Sequence, residues 1–319
     1  MINNKIAVIG AGYWGSIITK TLFSLKFKKV VIHDINKKNL KIIKKKFNEI
    51  IIEKSFLNIL NDNEIKNVIV ATPPSANLNI VKQLLLNNKN IFLEKPGFKN
   101  LNDLKRIKKI KSKNKIMIGY VYCYNNYIKK IKEILKSKEL GEILYINFRR
   151  QNLGPIRNDV DVDYDLTSHD LSIMFYLFNK NPRLISFSKN YILKKNIADI
   201  SNLHFRLDDI FIDINNSWIN PTKERLIKII GSKKMLIYDE MNLKEPLKIF
   251  NQYANYPKLD FFDKKFLNSK AYIYKGKSKI VHVNTKSPLE NELRHFFTNK
   301  KSFTNLNFAE IILKILKRI

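Results

Sequence analysis

Several short stretches of this sequence combine residue types that chemistry can use. Gly10-Ala11-Gly12-Tyr13-Trp14-Gly15 is G-x-G-x-x-G, set between an apolar run, Ile6–Ile9, and an amphipathic segment with apolar positions at Trp14, Ile17, Ile18, Leu22 and Leu25. Glycines at that spacing permit a tight turn, close approach of backbone to a pyrophosphate and close strand–helix packing, while the helix start offers free N–H groups to the phosphates. Asp34 lies 19 residues beyond Gly15, at the end of the next apolar run. A carboxylate there accepts hydrogen bonds from both adenosine ribose hydroxyls and repels a 2′-phosphate. Gly10, Gly12, Tyr13, Trp14, Gly15 and Asp34 therefore point to NAD in preference to NADP, although Lys37 and Lys38 stand close enough in sequence to meet a 2′-phosphate.

Two more candidates follow apolar runs. Ala71-Thr72-Pro73-Pro74 has the rigidity of either a wall beside a dinucleotide or an ordinary turn. Glu94-Lys95-Pro96 follows Ile91–Leu93 and so falls at the carboxyl edge, where open α/β sheets bind ligands. Ala71, Thr72, Pro73, Glu94 and Lys95 join the cofactor contacts on this reading. Farther on, Asp165-Leu166-Thr167-Ser168-His169-Asp170 holds a carboxylate and an imidazole four residues apart, on one face of a helix start. A carboxylate beside an imidazole orients it and raises its basicity, as proton transfer requires. The same spacing also suits a helix-capping Asp165 and a packed surface histidine. The alternation Asp159, Asp161, Asp163, Asp165 suggests calcium, but an EF-hand loop from Asp159 needs Gly at its sixth position and Glu at its twelfth, where the chain has Tyr164 and Asp170. No metal is expected. The lone cysteine, Cys123, rules out an intramolecular disulfide, fits a reducing cytoplasm and carries no mark of an activated thiolate.

The elements that must position these residues come in two patterns. Through residue 120, short apolar runs at Ile6–Ile9, Val30–His33, Val68–Ala71, Ile91–Leu93 and Ile116–Ile118 alternate with helical stretches near Lys37–Phe47, Ala76–Asn87 and Leu101–Lys111. Buried strands separated by helices predict a doubly wound parallel sheet, an α/β Rossmann domain over 1–120. From 121 to 319 a helix (Tyr127–Leu140), a strand (Ile143–Arg150) and a helix (Leu166–Phe178) lead into strand-like runs at Leu184–Asn190, Leu203–Leu207, Ile210–Ile214, Arg225–Ile230 and Met235–Tyr238. Few helices intervene, which predicts an α+β domain with a largely antiparallel open sheet. Pro288–Phe297 and Ala309–Leu316 read as closing helices, the C-terminal one free to pack back on the first domain; Asn242–Lys286 shows no readable pattern.

Composition narrows the function classes. With 45% hydrophobic and 27% charged residues the chain is globular, and no stretch approaches the ~18 uncharged apolar residues of a membrane span. The N-terminal apolar run is too short for a secretory leader. The net charge is +31, yet only nine of the 59 basic residues are Arg, and the lysines are scattered along almost every segment. A nucleic-acid reader would lean on the bidentate fork of Arg and gather its charge into a stripe. No specific nucleic-acid partner is expected; the charge either decorates solvated surfaces or attracts anionic ligands.

Together, A-V-I-G-A-G-Y-W-G at Ala7–Gly15, E-K-P at Glu94–Pro96, I-G-Y-V-Y-C-Y-N at Ile118–Asn125 and D-L-T-S-H-D at Asp165–Asp170 resemble the Gfo/Idh/MocA oxidoreductases. The resemblance runs over 1–180, fades through 190–285 and returns at Pro288-Leu289-Glu290-Asn291-Glu292. The Y-W-G loop, N-L-G at Asn152–Gly154 and Y-D-L-T-S-H-D-L-S-I are similar to bacterial members acting on nucleotide-linked sugars in surface-polysaccharide synthesis. The resemblance implies that Lys95 holds the reacting hydroxyl, His169 takes or gives its proton and Asp165 partners His169. Asn77 stands where these proteins often have His, and Tyr164 where near relatives often have Trp. Arg149, Arg150 and Asn152 are candidates for the sugar pocket, since Arg suits a diphosphate; they fit solvated strand-edge positions equally well. The expectation is a cytoplasmic, NAD-dependent, homo-oligomeric sugar oxidoreductase, a dimer or tetramer. The rivals are a free-sugar or inositol dehydrogenase and a non-catalytic NAD-binding regulator or scaffold.

Overall fold

Ile6–Ile9 (β1), Val30–His33 (β2) and nearly all of Asn67–Val70 (β4) and Asn90–Glu94 (β5) are buried along their length, as strands covered on both faces must be. With Ile51–Ile52 (β3) and Ile116–Gly119 (β6) they form a six-stranded, wholly parallel sheet in the order β3-β2-β1-β4-β5-β6. The helices Tyr13–Ser24 (α1), Lys37–Lys46 (α2), Phe56–Asn61 (α3), Pro74–Leu86 (α4) and Leu101–Lys108 (α5) are the crossovers. Chain direction across the sheet reverses between β1 and β4, the switch point at which such sheets open a crevice at their carboxyl edge. The computed structural model describes residues 4–158, 160–255, 272–284, 286–298 and 301–319.

A 3₁₀ turn, Val121–Tyr124, is followed by Asn126–Lys136 (α6), Ile143–Leu153 (β7), a π-helical turn at Asp163–Thr167 and Ser168–Phe178 (α7). Then come β8 (Arg183–Asn190), β9 (Ile200–Leu207), β10 (Ile210–Ser217), β11 (Ile219–Gly231), β12 (Met235–Asp239), β13 (Leu247–Asn255) and β14 (Tyr272–Ile280). These make an eight-stranded sheet, β14-β13-β12-β11-β7-β10-β9-β8, antiparallel except where β7 and β10 run parallel. In β7, Ile146, Phe148, Arg150 and Asn152 are buried at alternate positions, while Leu144, Arg149 and Leu153 are exposed.

The chain divides into two compact units: 1–125 with 286–317, and 126–285 with 318–319. Both closing helices, Pro288–Thr298 (α8) and Leu306–Leu316 (α9), group with the first unit; the sequence places 121–319 in the second domain and leaves only the C-terminal helix free to pack back on the first. The reason is burial: Leu289, Leu293 and Phe296 line one face of α8, and the Phe296 ring meets Phe92 of β5 at 5.7 Å. Thr304, just before α9, accepts from the Ile118 N–H of edge strand β6 at 2.7 Å. The strands β3, β13 and β14 and the helix α3 have no counterpart in the sequence reading. β3 is only two residues long, and β13 and β14 fall within the unreadable stretch 242–286.

Candidate active site

The first unit gathers the glycine loop, Asp34 and the carboxyl ends of β4 and β5. Gly10 has φ +100°, and a Cβ there would lie 2.6 Å from the Ala71 carbonyl oxygen; a Cβ on Gly15 would lie 1.9 Å from the Gly10 carbonyl oxygen. A Cβ on Gly12 would meet nothing within 4 Å among the described residues, so the space beside the start of α1 is open to a ligand. Asp34 is tied to this loop: its Oδ2 accepts from the Ala11 N–H at 2.7 Å and from Asn39 Nδ2 at 3.2 Å, and its Oδ1 accepts from the Asn36 N–H at 2.7 Å. Each oxygen keeps acceptor capacity, so a ribose diol fits while a 2′-phosphate would meet a fixed negative charge. Tyr13 is 83% exposed and Ile35 95% exposed. Ile35 was not singled out from the sequence, where an apolar residue after a strand has no distinguishing mark.

Thr72 and Lys95 sit on loops that a third residue joins. The Thr72 hydroxyl donates to Asn77 Oδ1 at 2.6 Å, and Asn77 Nδ2 donates to the Gly97 carbonyl at 2.6 Å. Asn77, buried on α4, thereby ties the turn after β4 to the Glu94-Lys95-Pro96-Gly97 turn after β5. The Lys95–Pro96 peptide bond is cis. The Glu94 side chain is partly open to solvent, but its Oε1 is buried. Burial lifts the Glu94 carboxyl to about 7, against the Trp14 indole N–H and the Lys95 charge, which favour its ionised form.

In the second unit, Asp165 and His169 straddle the junction of the π turn and α7, both half-buried. Arg157 Nη1 approaches Asp165 Oδ1 at 3.5 Å, and the Asp165 carbonyl accepts from the Ser168 hydroxyl at 3.0 Å. The π turn is held from outside: Asn216 Nδ2 donates to the Thr167 hydroxyl at 2.5 Å, and the Lys189 ammonium lies 2.8 Å from Asp161 and 3.2 Å from buried Asp163. Asp161 and Asp163 therefore serve Lys189 in this structure, and Asp159 lies outside the described residues. Tyr164, on the same turn, has its hydroxyl pushed up to about 12 by burial, against the Arg157 charge.

The pocket candidates on β7 have partners of their own. Arg150 is 4% exposed, and its Nε and Nη2 donate to Asp170 Oδ1 at 3.1 and 2.8 Å. Burial still lifts the Asp170 carboxyl above the usual carboxylate range, against the Arg150 charge. Asn152 donates to the Gly154 carbonyl and accepts from Arg225 Nη2 at 2.5 Å. Arg149, its side chain 45% exposed, lies 3.7 Å from Glu224.

Two family models match the chain: an oxidoreductase family with an NAD-binding Rossmann fold over residues 4–123, and the GFO/IDH/MocA C-terminal domain over 128–237. The chain belongs to the Gfo/Idh/MocA family of NAD-binding oxidoreductases. It is 25% identical to the inositol 2-dehydrogenase of Salmonella typhimurium over 133 residues, which is 40% of each protein. It is also 25% identical to the glucose-6-phosphate 3-dehydrogenase of Bacillus subtilis, across 75% of each protein. Among solved structures, the UDP-N-acetylglucosamine 3-dehydrogenase of Acidithiobacillus ferrooxidans shares the fold with a TM-score of 0.76 at 16% identity, over 100% of this chain and 97% of the other.

Proposed function

We propose that this chain is an NAD-dependent dehydrogenase or reductase that moves hydride between nicotinamide and a ring carbinol of a sugar, a nucleotide-linked one. The reading is carried by His169, half-buried at the start of α7, with Asp165 four residues before it in the domain that matches the family's C-terminal model. A bound nicotinamide supplies the hydride acceptor or donor, and Gly10, Gly12, Gly15 and Asp34 would hold its dinucleotide. Exposed Ile35 and the Ala71–Pro73 turn would give the adenosine half and the nicotinamide half their apolar contacts.

The chain's own groups move the proton. A sugar hydroxyl is a very poor acid, so its proton must leave as the C–H bond breaks, and an imidazole with an ordinary pKa near ~6.5 is well matched to that task at neutral pH. His169 is that base, Asp165 stabilises the imidazolium, and Lys95 holds the substrate oxygen against developing negative charge. A second reading, a free-sugar or inositol dehydrogenase, is favoured by one observation: Arg150 already spends its guanidinium on Asp170 and Arg149 lies beside Glu224, so neither stands idle for a diphosphate.

A screen of nucleotide sugars and free sugars with NAD and NADP, followed by absorbance, separates the two. On the substrate so found, His169→Ala lowers turnover by roughly 10²–10⁴, and Lys95→Ala lowers it at least as far and weakens sugar binding. Turnover near wild type in His169→Ala removes the histidine from the role of base.

A further inference from the structure

The first unit holds a group of buried polar atoms that the chemistry above leaves unused. Glu94 Oε1, at the end of β5, and both carboxyl oxygens of Glu292 on α8 are buried and have no hydrogen bond of normal geometry among the described residues, and the Trp14 indole N–H in the first turn of α1 lies near enough to Glu94 to favour its ionised form. Glu292 is 0% exposed. Buried polar side chains are nearly always satisfied, so two acids left in one region call for an explanation. The position beside them on β6 is a glycine: a Cβ on Gly119 would stand 3.2 Å from Glu94 Oε1 and 3.0 Å from the Phe92 ring.

The topology says what this region faces. Asp34, just after β2, would hold the adenosine half of a dinucleotide and the glycine loop after β1 its pyrophosphate, which would leave the carboxyl ends of β4 and β5, where Glu94 is partly open, to the nicotinamide half. Oxidised nicotinamide carries a positive charge on its ring and the reduced form does not. Phe296, one turn beyond Glu292 on α8, packs on Phe92 of β5, and the Glu94 charge acts on Glu292; two buried carboxyls coupled in this way do not both ionise freely, and a single proton can serve the pair.

We propose that the Glu94–Glu292 pair selects between the two redox states of the cofactor: the cationic ring of NAD⁺ binds beside it with loss of the shared proton to solvent, whereas NADH binds with that proton retained. The step is an O–H dissociation at a carboxyl and changes no bond of the cofactor. It rests on the NAD-binding reading of this unit and not on the choice of sugar or on His169.

Burial and the neighbouring acid act in the same direction. Glu94 titrates at about 7, and burial with the charge of Glu94 raises Glu292 well above the carboxylate range. Among the described residues, Lys95 on its own turn acts on Glu94 and Tyr124 on the 3₁₀ turn feels the charge of Glu292; Cys123 and His295, whose ring lies 5.2 Å from that of Tyr124, adjoin that tyrosine. Burial raises the Tyr124 hydroxyl, which bonds Ser302 and Thr304, so it stays neutral across the range concerned.

The test is binding of NAD⁺ and NADH to the full chain without sugar, by calorimetry in buffers of different ionisation enthalpy. Expected is an NAD⁺ affinity that rises between about pH 6 and 8 by up to about tenfold per unit, with proton release on binding, and an NADH affinity without that rise. Glu94→Gln should abolish the difference between the two cofactors' pH profiles. Glu292→Gln should shift the NAD⁺ rise to lower pH, because Glu94 no longer competes with a second acid. Equal proton counts for NAD⁺ and NADH in the wild type overturn the proposal whether or not the variants fold, as does an NAD⁺ rise that survives in Glu94→Gln. Binding of neither nucleotide at any pH overturns it together with the cofactor assignment.

Discussion

Asp34 shows what one carboxylate can settle and how it can be checked. It accepts from the Ala11 N–H of the glycine loop, and on the function proposed above it would also hold the ribose diol, coupling loop shape to cofactor choice. The wild type should bind NADH at least about tenfold more tightly than NADPH, a difference of ~1.4 kcal/mol. Asp34→Asn, which keeps the shape and removes the charge, should narrow that gap in a fluorescence titration; equal affinities in the wild type would show that Lys37 and Lys38 set the preference instead. The glycines and Asp34 were legible because their spacing along the chain is itself the signal. Asn77 and Glu292 were not. Asn77 acts by clasping Gly97, 20 residues away, and Glu292 meets its acid neighbour from a helix nearly 200 residues later in the chain.

Among the elements, β7 and α7 are locked by Arg150 and Asp170, a buried pair held by two donors. Removing one partner of such a pair strands a buried charge, at a cost of about 3–5 kcal/mol. Asp170→Asn should therefore lower the denaturant midpoint strongly, and Arg150→Met combined with Asp170→Leu should recover most of the loss. A raised KM with unchanged stability in Asp170→Asn would return Arg150 to the substrate. The sequence shows both residues but not their partnership, since strand alternation says which face Arg150 occupies and says nothing of what waits there. The crossovers of the parallel sheet, apart from the six-residue α3, were legible from periodicity. β13 and β14 were not, because strand β14 carries lysines and exposed tyrosines in place of an apolar alternation, and α8 hid its membership of the first unit behind an ordinary amphipathic pattern.

For the molecule as a whole, the +31 charge is the dominant long-range property. It is carried by lysines spread over both units, and many acidic side chains are already engaged, as in Lys5–Asp62, Lys108–Glu310 and Lys180–Asp208. Duplex DNA should bind only in the non-specific range, with Kd of ~10⁻⁴–10⁻⁶ M at physiological salt, weakening steeply as salt rises. Nanomolar, sequence-selective binding in an electrophoretic shift assay at that salt would make the charge a recognition device.

The outermost strand of the eight-stranded sheet carries a different consequence. Among the described residues β14 pairs with β13 on one side only, and an unpaired strand edge is a template on which another chain can add itself. Along it Lys275, Lys277 and Lys279 recur at every second residue, all exposed. Any strand that docked there in register with a copy of itself would bring like charges side by side. The spacing that hid this strand from pattern reading is thus a guard against fibrous self-association, and its removal by neutral residues would trade solubility for stickiness.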